Sequence, residues 1–327
     1  MRCLCCGKNI RIDSSEYEKR VSWHKSCIRK FFGTDTIPEI SLAGSSLDDI
    51  TDRLVNGKKT IPGVQKKLSL GFSRINTSKL TLVDYPLGFI LKPDSPEYTC
   101  LPEAEYLVMD MARTAGIKTV PFGLINSTDG KYAYITKRVD RDIKRERSGV
   151  QVTKNAMEDL CQLSHKLTED KYLGSYERCG KLIAKYSSQP GLDLAEYYLR
   201  VIFSFVSGNS DMHLKNFSLI EKRAASQEYI LSPAYDMLPV NIILPTDPDQ
   251  MALTVNDKRR NIRRKDFLIL AESIGLNRIA AERLIKSVTD KKSDFILMIN
   301  ESLLPNHMKD EFVNLLTERI TVLDPET

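Results

Sequence analysis

Long apolar runs are missing from this 327-residue sequence. A membrane-crossing helix needs roughly 20 apolar residues in succession. The most apolar helical stretch, Tyr197 to Val206, is interrupted by Arg200 and Ser204. A secretory leader is missing too, because Met1-Arg2 runs directly into Cys3-Leu4-Cys5-Cys6; a cytoplasmic address is the expectation, with no membrane partner. Glycine and proline are not abundant: 16 and 14 residues, in a chain 42% hydrophobic and 28% charged, exclude collagen-like, low-complexity and largely disordered proteins. The seven cysteines form no even framework, and a chain of this length buries a core without disulfides. A formal charge of +5, from 48 basic and 43 acidic residues, is too mild to argue for nucleic acid on its own.

What the sequence does concentrate is cysteine at one end, with four of the seven in the first 27 residues. Cys3 and Cys6 make a C-x-x-C pair, and His24 and Cys27 an H-x-x-C pair. Three thiolates and one imidazole are a closed tetrahedral zinc set. A segment this short buries little apolar area, so a metal would explain how it folds. The competing reading is a reduced knob packed on the main body through Trp23, Phe31 and Phe32. The metal-free knob is marginally preferred, because the second pair is not C-x-x-C.

Apolar spacing then divides the chain. Ser46 and Asp49 form a capping-box pattern ahead of Leu47, Ile50 and Leu54, with Gly57 as a stop. Leu80 to Pro93 reads as short strands turning near Tyr85-Pro86, Pro102 to Ala115 as a helix stopped by Gly116, and Tyr132 to Val139 as a strand. Beyond Asp142 the pattern is helical: Met157, Leu160, Leu163 and Leu167; Leu194, Tyr197, Val201 and Phe205; then Phe267–Ile274, Ile279–Val288, Phe295–Leu303 and Phe312–Ile320. A strand-rich half followed by a helical half is an α+β order. Three segments are expected: residues 1–33 (Cys-rich), 34–140 (strand-rich) and 141–327 (helical).

The densest polar motif is Gly208-Asn-Ser-Asp211-Met-His213-Leu-Lys215-Asn216, directly after an apolar helix. Asp236 follows in Pro233-Ala-Tyr-Asp236. Phosphoryl transfer needs a carboxylate to accept the attacking hydroxyl's proton, and an amide oxygen with a second carboxylate to hold magnesium. Asp–x4–Asn followed by a distant Asp supplies that set, although Asp and Asn also serve as ordinary turn and cap residues. Phe89-Ile-Leu-Lys92 is a strand ending in a lysine, suited to phosphates, and either Glu103 or Glu105 on the next helix can orient it. Thr60-Ile-Pro-Gly63-Val64-Gln65-Lys66-Lys67 reads as a phosphate loop or, more plainly, as a turn. The basic run Lys258 to Lys265 reads as a solvated loop and helix start rather than a DNA contact.

Taken together, Gly63-Val-Gln-Lys-Lys-Leu-Ser-Leu, Ile90-Leu-Lys92-Pro, Glu158-Asp-Leu-Cys-Gln162, the Gly208–Ser218 motif and Pro233-Ala-Tyr-Asp236 resemble the HipA family, in order and spacing, from about residue 34 onward. The resemblance implies a bilobal protein-kinase-like fold, with a strand-rich N-lobe and a helical C-lobe. It also implies a Ser/Thr kinase acting as the toxin of a toxin–antitoxin pair. Asp211 takes the catalytic role, with Lys215 neutralising the transferring phosphate. Asn216 and Asp236 bind magnesium. Lys92, the Gly63–Lys67 loop and the Lys137–Val139 hinge hold ATP, with Glu105 as the helix glutamate. Thr60 stands where the family carries an autophosphorylated serine. His213 is structural, since Asp211 fills the role of base. The family's usual N-terminal subdomain has no counterpart and the Cys segment stands in its place, which resembles the short HipT branch. The implied partners are a HipB-like helix-turn-helix antitoxin, through which DNA is reached, a small HipS-like protein, and an aminoacyl-tRNA synthetase as substrate. Three other readings remain open: a lipid or small-molecule kinase of the same fold, a pseudokinase-like binding module, and a zinc-dependent nucleic-acid binder.

Overall fold

A computed structural model describes residues 1–41, 67–72, 79–82, 88–126, 130–146 and 149–324. They gather into two compact units. Met1–Tyr106 with Val120–Lys154 form the first, and Leu107–Thr119 with Asn155–Thr327 the second. The expected helix between Ser46 and Gly57 lies outside the described residues.

The first unit is built on a six-stranded sheet: β1 (Glu39–Ser41), β2 (Leu68–Phe72), β3 (Lys79–Leu82), β4 (Phe89–Lys92), β5 (Phe122–Asn126) and β6 (Tyr132–Lys137), in the order β1-β3-β2-β4-β6-β5. β1 runs parallel to β3 and the other pairings are antiparallel. β4 lies inside the sheet, which is why Phe-Ile-Leu carries no polar alternation. Its partner β6 sets Tyr134 opposite Lys92.

Two short helices precede the sheet. α1 (Glu16–Val21) is capped reciprocally by Ser15 and Glu18, and α2 (Lys25–Phe32) ends on Gly33 in the left-handed conformation. Trp23 is fully buried and donates its indole N–H to the Leu124 carbonyl at 2.8 Å. Phe31 and Phe32 pack on Phe89, with ring centroids 5.8 and 5.5 Å away. The Leu124 N–H donates to the Leu4 carbonyl at 2.8 Å, so the N-terminal segment covers the outer edge of β5.

One charged stretch is better ordered than its composition suggests. The expected segments 34–140 and 141–327 meet inside the charged stretch Lys137 to Arg147. Instead β7 (Arg141–Glu146) and β8 (Gly149–Lys154) form a hairpin, with Ile143 opposite Val152, and the first unit runs to Lys154. Ile143 between Asp142 and Lys144, and Val150 and Val152 on alternate positions, are a strand signal that the charge of Arg141 to Arg147 obscures. Helix α3 (Leu101–Thr114) starts in the first unit and finishes in the second, and Gly116 at φ +87° stops the chain beyond it.

The second unit is helical around α6 (Pro190–Val206), whose residues from Tyr197 to Val206 are all buried and which is therefore central. Tyr197, Tyr198, Val201, Ile202, Phe203 and Phe205 are all fully buried on it. Around it lie α5 (Tyr176–Tyr186), α9 (Arg278–Thr289) and α11 (Asn306–Leu323), with α4 (Leu160–Leu163), α7 (Val240–Ile243), α8 (Arg264–Ser273) and α10 (Lys292–Asn300) completing the unit. A small antiparallel sheet, β11-β10-β9, joins β9 (Met157–Asp159), β10 (Ser218–Glu221) and β11 (Tyr229–Leu231).

The helix read from Met157 to Leu167 does not form. Met157 pairs with Ile220 in β9, Asp159 caps the single turn of α4, and His165 at φ +54° prevents continuation. Leucines spaced by three and four residues fit two short elements as well as one long helix. Among the described residues no helix is long and apolar enough to cross a membrane.

Candidate active site

The first unit places Lys92 and Glu105 together. Lys92 closes β4 and Glu105 lies in the first turns of α3; Nζ and Oε1 are 2.5 Å apart, with side chains 3% and 1% exposed. The Lys92 ammonium also sits 5.3 Å from the Tyr134 ring centroid, a cation–π distance. Of the two glutamates the sequence left open, Glu105 is the one paired with Lys92, while Glu103 has its carboxyl raised by burial. Lys137 ends β6, with its N–H donating to the Pro121 carbonyl at 3.0 Å, and Val139 follows half-buried in a turn. Lys67 is exposed ahead of β2, whereas Thr60, Gly63, Val64, Gln65 and Lys66 lie outside the described residues.

The second unit assembles the polar loop. α6 is capped by Ser207, and Gly208 at φ +68° turns the chain sharply into Asn209–His213. Asn216 lies in a single 3-10 turn, Leu214–Asn216, and its amide Nδ2 donates to the Asp211 carbonyl at 2.9 Å. The amide nitrogen is thereby used, and the amide oxygen is the atom left to meet a cation. Lys215 Nζ is held by Asp159 Oδ2 at 2.7 Å, from the end of β9. The Tyr235 hydroxyl donates to the Lys215 carbonyl at 2.9 Å and shares a 2.5 Å hydrogen bond with Ser218 Oγ. This fixes the chain next to Asp236 against the chain next to Asn216. Asp236 itself is left-handed, at φ +60°, a conformation that Asp tolerates better than most residues. The preceding Ala234 is bridged to Thr119.

One group here had no signal in the sequence. Tyr172 donates its hydroxyl to Asp211 Oδ1. Burial raises its phenol, and the charges of Asp211, Asp247 and Asp236 add to the shift, so these three carboxylates act on one point. His213 is 5% exposed, packs edge-on against Tyr172 at 5.0 Å, and has Nε2 3.9 Å from Asp211 Oδ1. That is packing geometry rather than a base in hydrogen-bond reach of its proton. Asp159 was also missed as a site residue, although it lies within the Glu158–Gln162 motif.

The basic run is tied down internally. Lys258 reaches the fully buried Asp266 at 2.8 Å, Arg260 reaches Asp249 at 2.7 Å, and Arg264 donates to the Leu323 carbonyl at 2.6 Å. Arg259 also donates to the Tyr172 carbonyl at 2.5 Å.

A buried strand-lysine and helix-glutamate pair in a sheet unit, with an Asp–x4–Asn loop and a distant Asp in a helical unit, define a protein-kinase-like fold. Residues 60–295 match the HipA-like C-terminal domain, and the chain belongs to that family. Among solved structures, HipA from Shewanella oneidensis, determined with HipB and its operator DNA, aligns with TM-score 0.66 at 18% identity over 85% of this chain and 73% of that one. The proinflammatory kinase CtkA of Helicobacter pylori aligns with TM-score 0.54 at 15% identity over 82% and 94%. A Haemophilus influenzae protein named "Putative kinase" is 24% identical over 285 residues, 81% of this chain and 82% of its own. A Sinorhizobium fredii protein, "Putative kinase Y4mE", is 27% identical over 219 residues, 65% of this chain and 50% of its own.

Proposed function

We propose that this chain is an ATP- and magnesium-dependent serine/threonine protein kinase, the toxin of a HipBA- or HipBST-like toxin–antitoxin system of the short HipT type. It acts in the cytoplasm and inhibits translation by phosphorylating an aminoacyl-tRNA synthetase. A HipB-like helix-turn-helix antitoxin restrains it and carries it to DNA, with a small HipS-like protein as a third component.

The Asp211–Asn216 loop carries this reading. The Asp211 carboxylate, the Asn216 amide nitrogen and the Lys215 ammonium are each held by a different backbone or side-chain partner, as a site that must not rearrange during reaction requires. Asp211 accepts the proton of the target hydroxyl. Asn216 and Asp236 offer the hard oxygen donors that suit magnesium. When bound, the ion neutralises charge on the phosphates. Lys215, kept in place by Asp159, faces the charge that develops on the transferred group. Lys92, oriented by Glu105, holds the nucleotide together with the Gly63–Lys67 loop and the Lys137–Val139 turn. In this scheme residues 34–140 serve as the nucleotide lobe, 141–327 as the catalytic lobe and 1–33 as a separate N-terminal segment.

Purified full-length protein, labelled ATP and magnesium, offered cell lysate or lipid vesicles in parallel, test the proposal. Transfer to protein, falling at least about 100-fold in folded Asp211→Asn, is the expected result. Labelling of vesicles alone, or transfer that survives Asp211→Asn, would overturn it. Thr60 is the proposed autophosphorylation site. Phosphate there places nearly two negative charges where ATP phosphates bind, which lowers activity. Phosphosite mapping that finds Thr60 unmodified in active protein, with unchanged activity in Thr60→Ala, would refute that step.

A further inference from the structure

The N-terminal segment holds four ligand-type side chains that the phosphotransfer reading leaves unused. The donor atoms of Cys3, Cys6, His24 and Cys27 all lie within 4.8 Å of one another. His24 Nδ1 is 3.4 Å from Cys6 Sγ and 3.8 Å from Cys27 Sγ. Zinc bonds of about 2.3 Å to sulfur and about 2.0–2.1 Å to nitrogen, set tetrahedrally, place such an S–N pair about 3.6 Å apart. The two observed distances bracket that edge.

The surroundings are those of a coordination site. His24 Nε2 is 3.2 Å from the Asn9 carbonyl oxygen. A carbonyl only accepts, so Nε2 carries the proton and the Nδ1 lone pair faces the sulfurs. The His24 backbone N–H donates to Cys3 Sγ at 3.4 Å, a bond that disperses thiolate charge. Cys3 is fully buried, and the other three are half-buried. A tight turn, with the Gly7 N–H donating to the Cys3 carbonyl at 2.9 Å, brings Cys6 back to Cys3. His24 and Cys27 come from the start of α2.

We propose that this segment is a structural zinc site with Cys3, Cys6, His24 and Cys27 as its four ligands. Three soft thiolates with one imidazole select zinc over the magnesium that suits oxygen donors. Four protein ligands close the sphere, so the ion is structural and not catalytic. Loading releases the protons of the three thiols, and with neutral His24 the site carries a net charge of −1. The ion ties the first turn to α2. Neither α1, of six residues, nor α2, of eight, is long enough to persist alone. Metal and knob thus coexist: the same segment that packs through Trp23, Phe31 and Phe32 also brings the four ligands together. Cys5 is outside the set.

The test uses full-length protein, purified without a metal-affinity tag and with a thiol reductant, and quantified for zinc by mass spectrometry. Zinc near one per chain is expected. Cys5→Ser keeps it, and Cys6→Ser and Cys27→Ser weaken it by at least about tenfold against a chromogenic chelator. Should a variant misfold, wild-type protein stripped of metal and titrated with cobalt(II) gives an independent reading. Tetrahedral d–d bands with thiolate charge transfer support the site, and an octahedral spectrum or no uptake refutes it. Trp23, the single tryptophan, is expected to red-shift on stripping and recover on adding zinc alone. Zinc below about a tenth per chain, or a loss in Cys5→Ser equal to that in Cys27→Ser, would overturn the proposal. None of these readings depends on kinase activity.

Discussion

Lys92 and Glu105 permit a quantitative test, because both charges are almost wholly buried and only 2.5 Å apart. At an effective dielectric of 20, two unit charges at that separation attract by about 7 kcal/mol. Removing one partner leaves the other charge buried, an effect of about 3–5 kcal/mol on stability. Lys92→Met and Glu105→Leu are each expected to be destabilising by that amount, lowering the unfolding midpoint by about 10 °C at roughly 3 °C per kcal/mol. The double variant replaces the pair with apolar side chains of similar length and is expected to recover most of the loss, since such replacements are often neutral. The cycle therefore yields a coupling energy of several kcal/mol. Urea unfolding followed by Trp23 emission reads it, because Trp23 belongs to the same compact unit. The same proteins separate fold from function: with Lys92 in its proposed role, the double variant is expected to fold yet to transfer no phosphate. Single variants within about 1 kcal/mol of wild type and additive in the double would refute the claim of a desolvated pair.

Burial raises the phenols of Tyr176, Tyr197 and Tyr198 above their ordinary value. They stay protonated in the folded chain after the unfolded phenols ionise near about pH 10, so stability is complete below that pH and falls above it, by about 4 kcal/mol per pH unit for the three together. An alkaline titration monitored by circular dichroism checks this, and a flat profile to about pH 12 would contradict it. Gly123→Ala sets a Cβ 2.5 and 2.7 Å from Trp23 ring carbons and 3.0 Å from the Leu4 carbonyl oxygen; a loss of about 1–3 kcal/mol is expected in thermal unfolding, with altered Trp23 emission. Asp159→Asn keeps the α4 cap, because Oδ1 still accepts from the Gln162 N–H at 2.8 Å, but releases Lys215. The expected result is a kcat about tenfold lower with stability changed by less than about 1 kcal/mol, since the Lys215 side chain is 33% exposed and the pair is screened.

Elements with one dominant face or none were readable from spacing alone. α6 is buried all round between Tyr197 and Val206, Arg200 and Ser204 included, and the helices around Phe267, Ile279 and Phe312 each carry a core stripe. What failed was local and charged. The β7–β8 hairpin hid behind its arginines and lysines, because a strand rich in charged residues differs little from a linker in composition. β9 and α4 share one run of leucines, and only the His165 backbone, at φ +54°, and the pairing with β10 separate them. Sheet pairing is a contact between distant segments, and single-segment periodicity contains no term for it.

The site residues that emerged from the sequence are those whose chemistry requires a fixed spacing. Asp211 and Asn216 are five apart because the Asn216 amide must return to the Asp211 carbonyl, a single turn's reach. Lys92 and Glu105 belong to adjacent elements, so a strand end and a helix start suffice to suggest them. Tyr172 and Asp159 have no such constraint. Each reaches its partner from more than thirty residues away, with |i−j| of 39 for Tyr172 to Asp211 and 56 for Asp159 to Lys215. They act by orienting groups that the motif already contains, and many chain positions can deliver a hydroxyl or a carboxylate to a given point. The N-terminal cluster joins both kinds of spacing. C-x-x-C and H-x-x-C are local turns, legible as pairs, whereas the closeness of one pair to the other belongs to the folded segment, where the His24 N–H donates to Cys3 Sγ and His24 Nδ1 lies beside Cys6 Sγ. From sequence alone the knob's packing through Trp23 and a four-ligand cluster read as rivals. In the folded segment they are two faces of one arrangement, since the turn that buries Trp23 is the one that brings His24 to the cysteines.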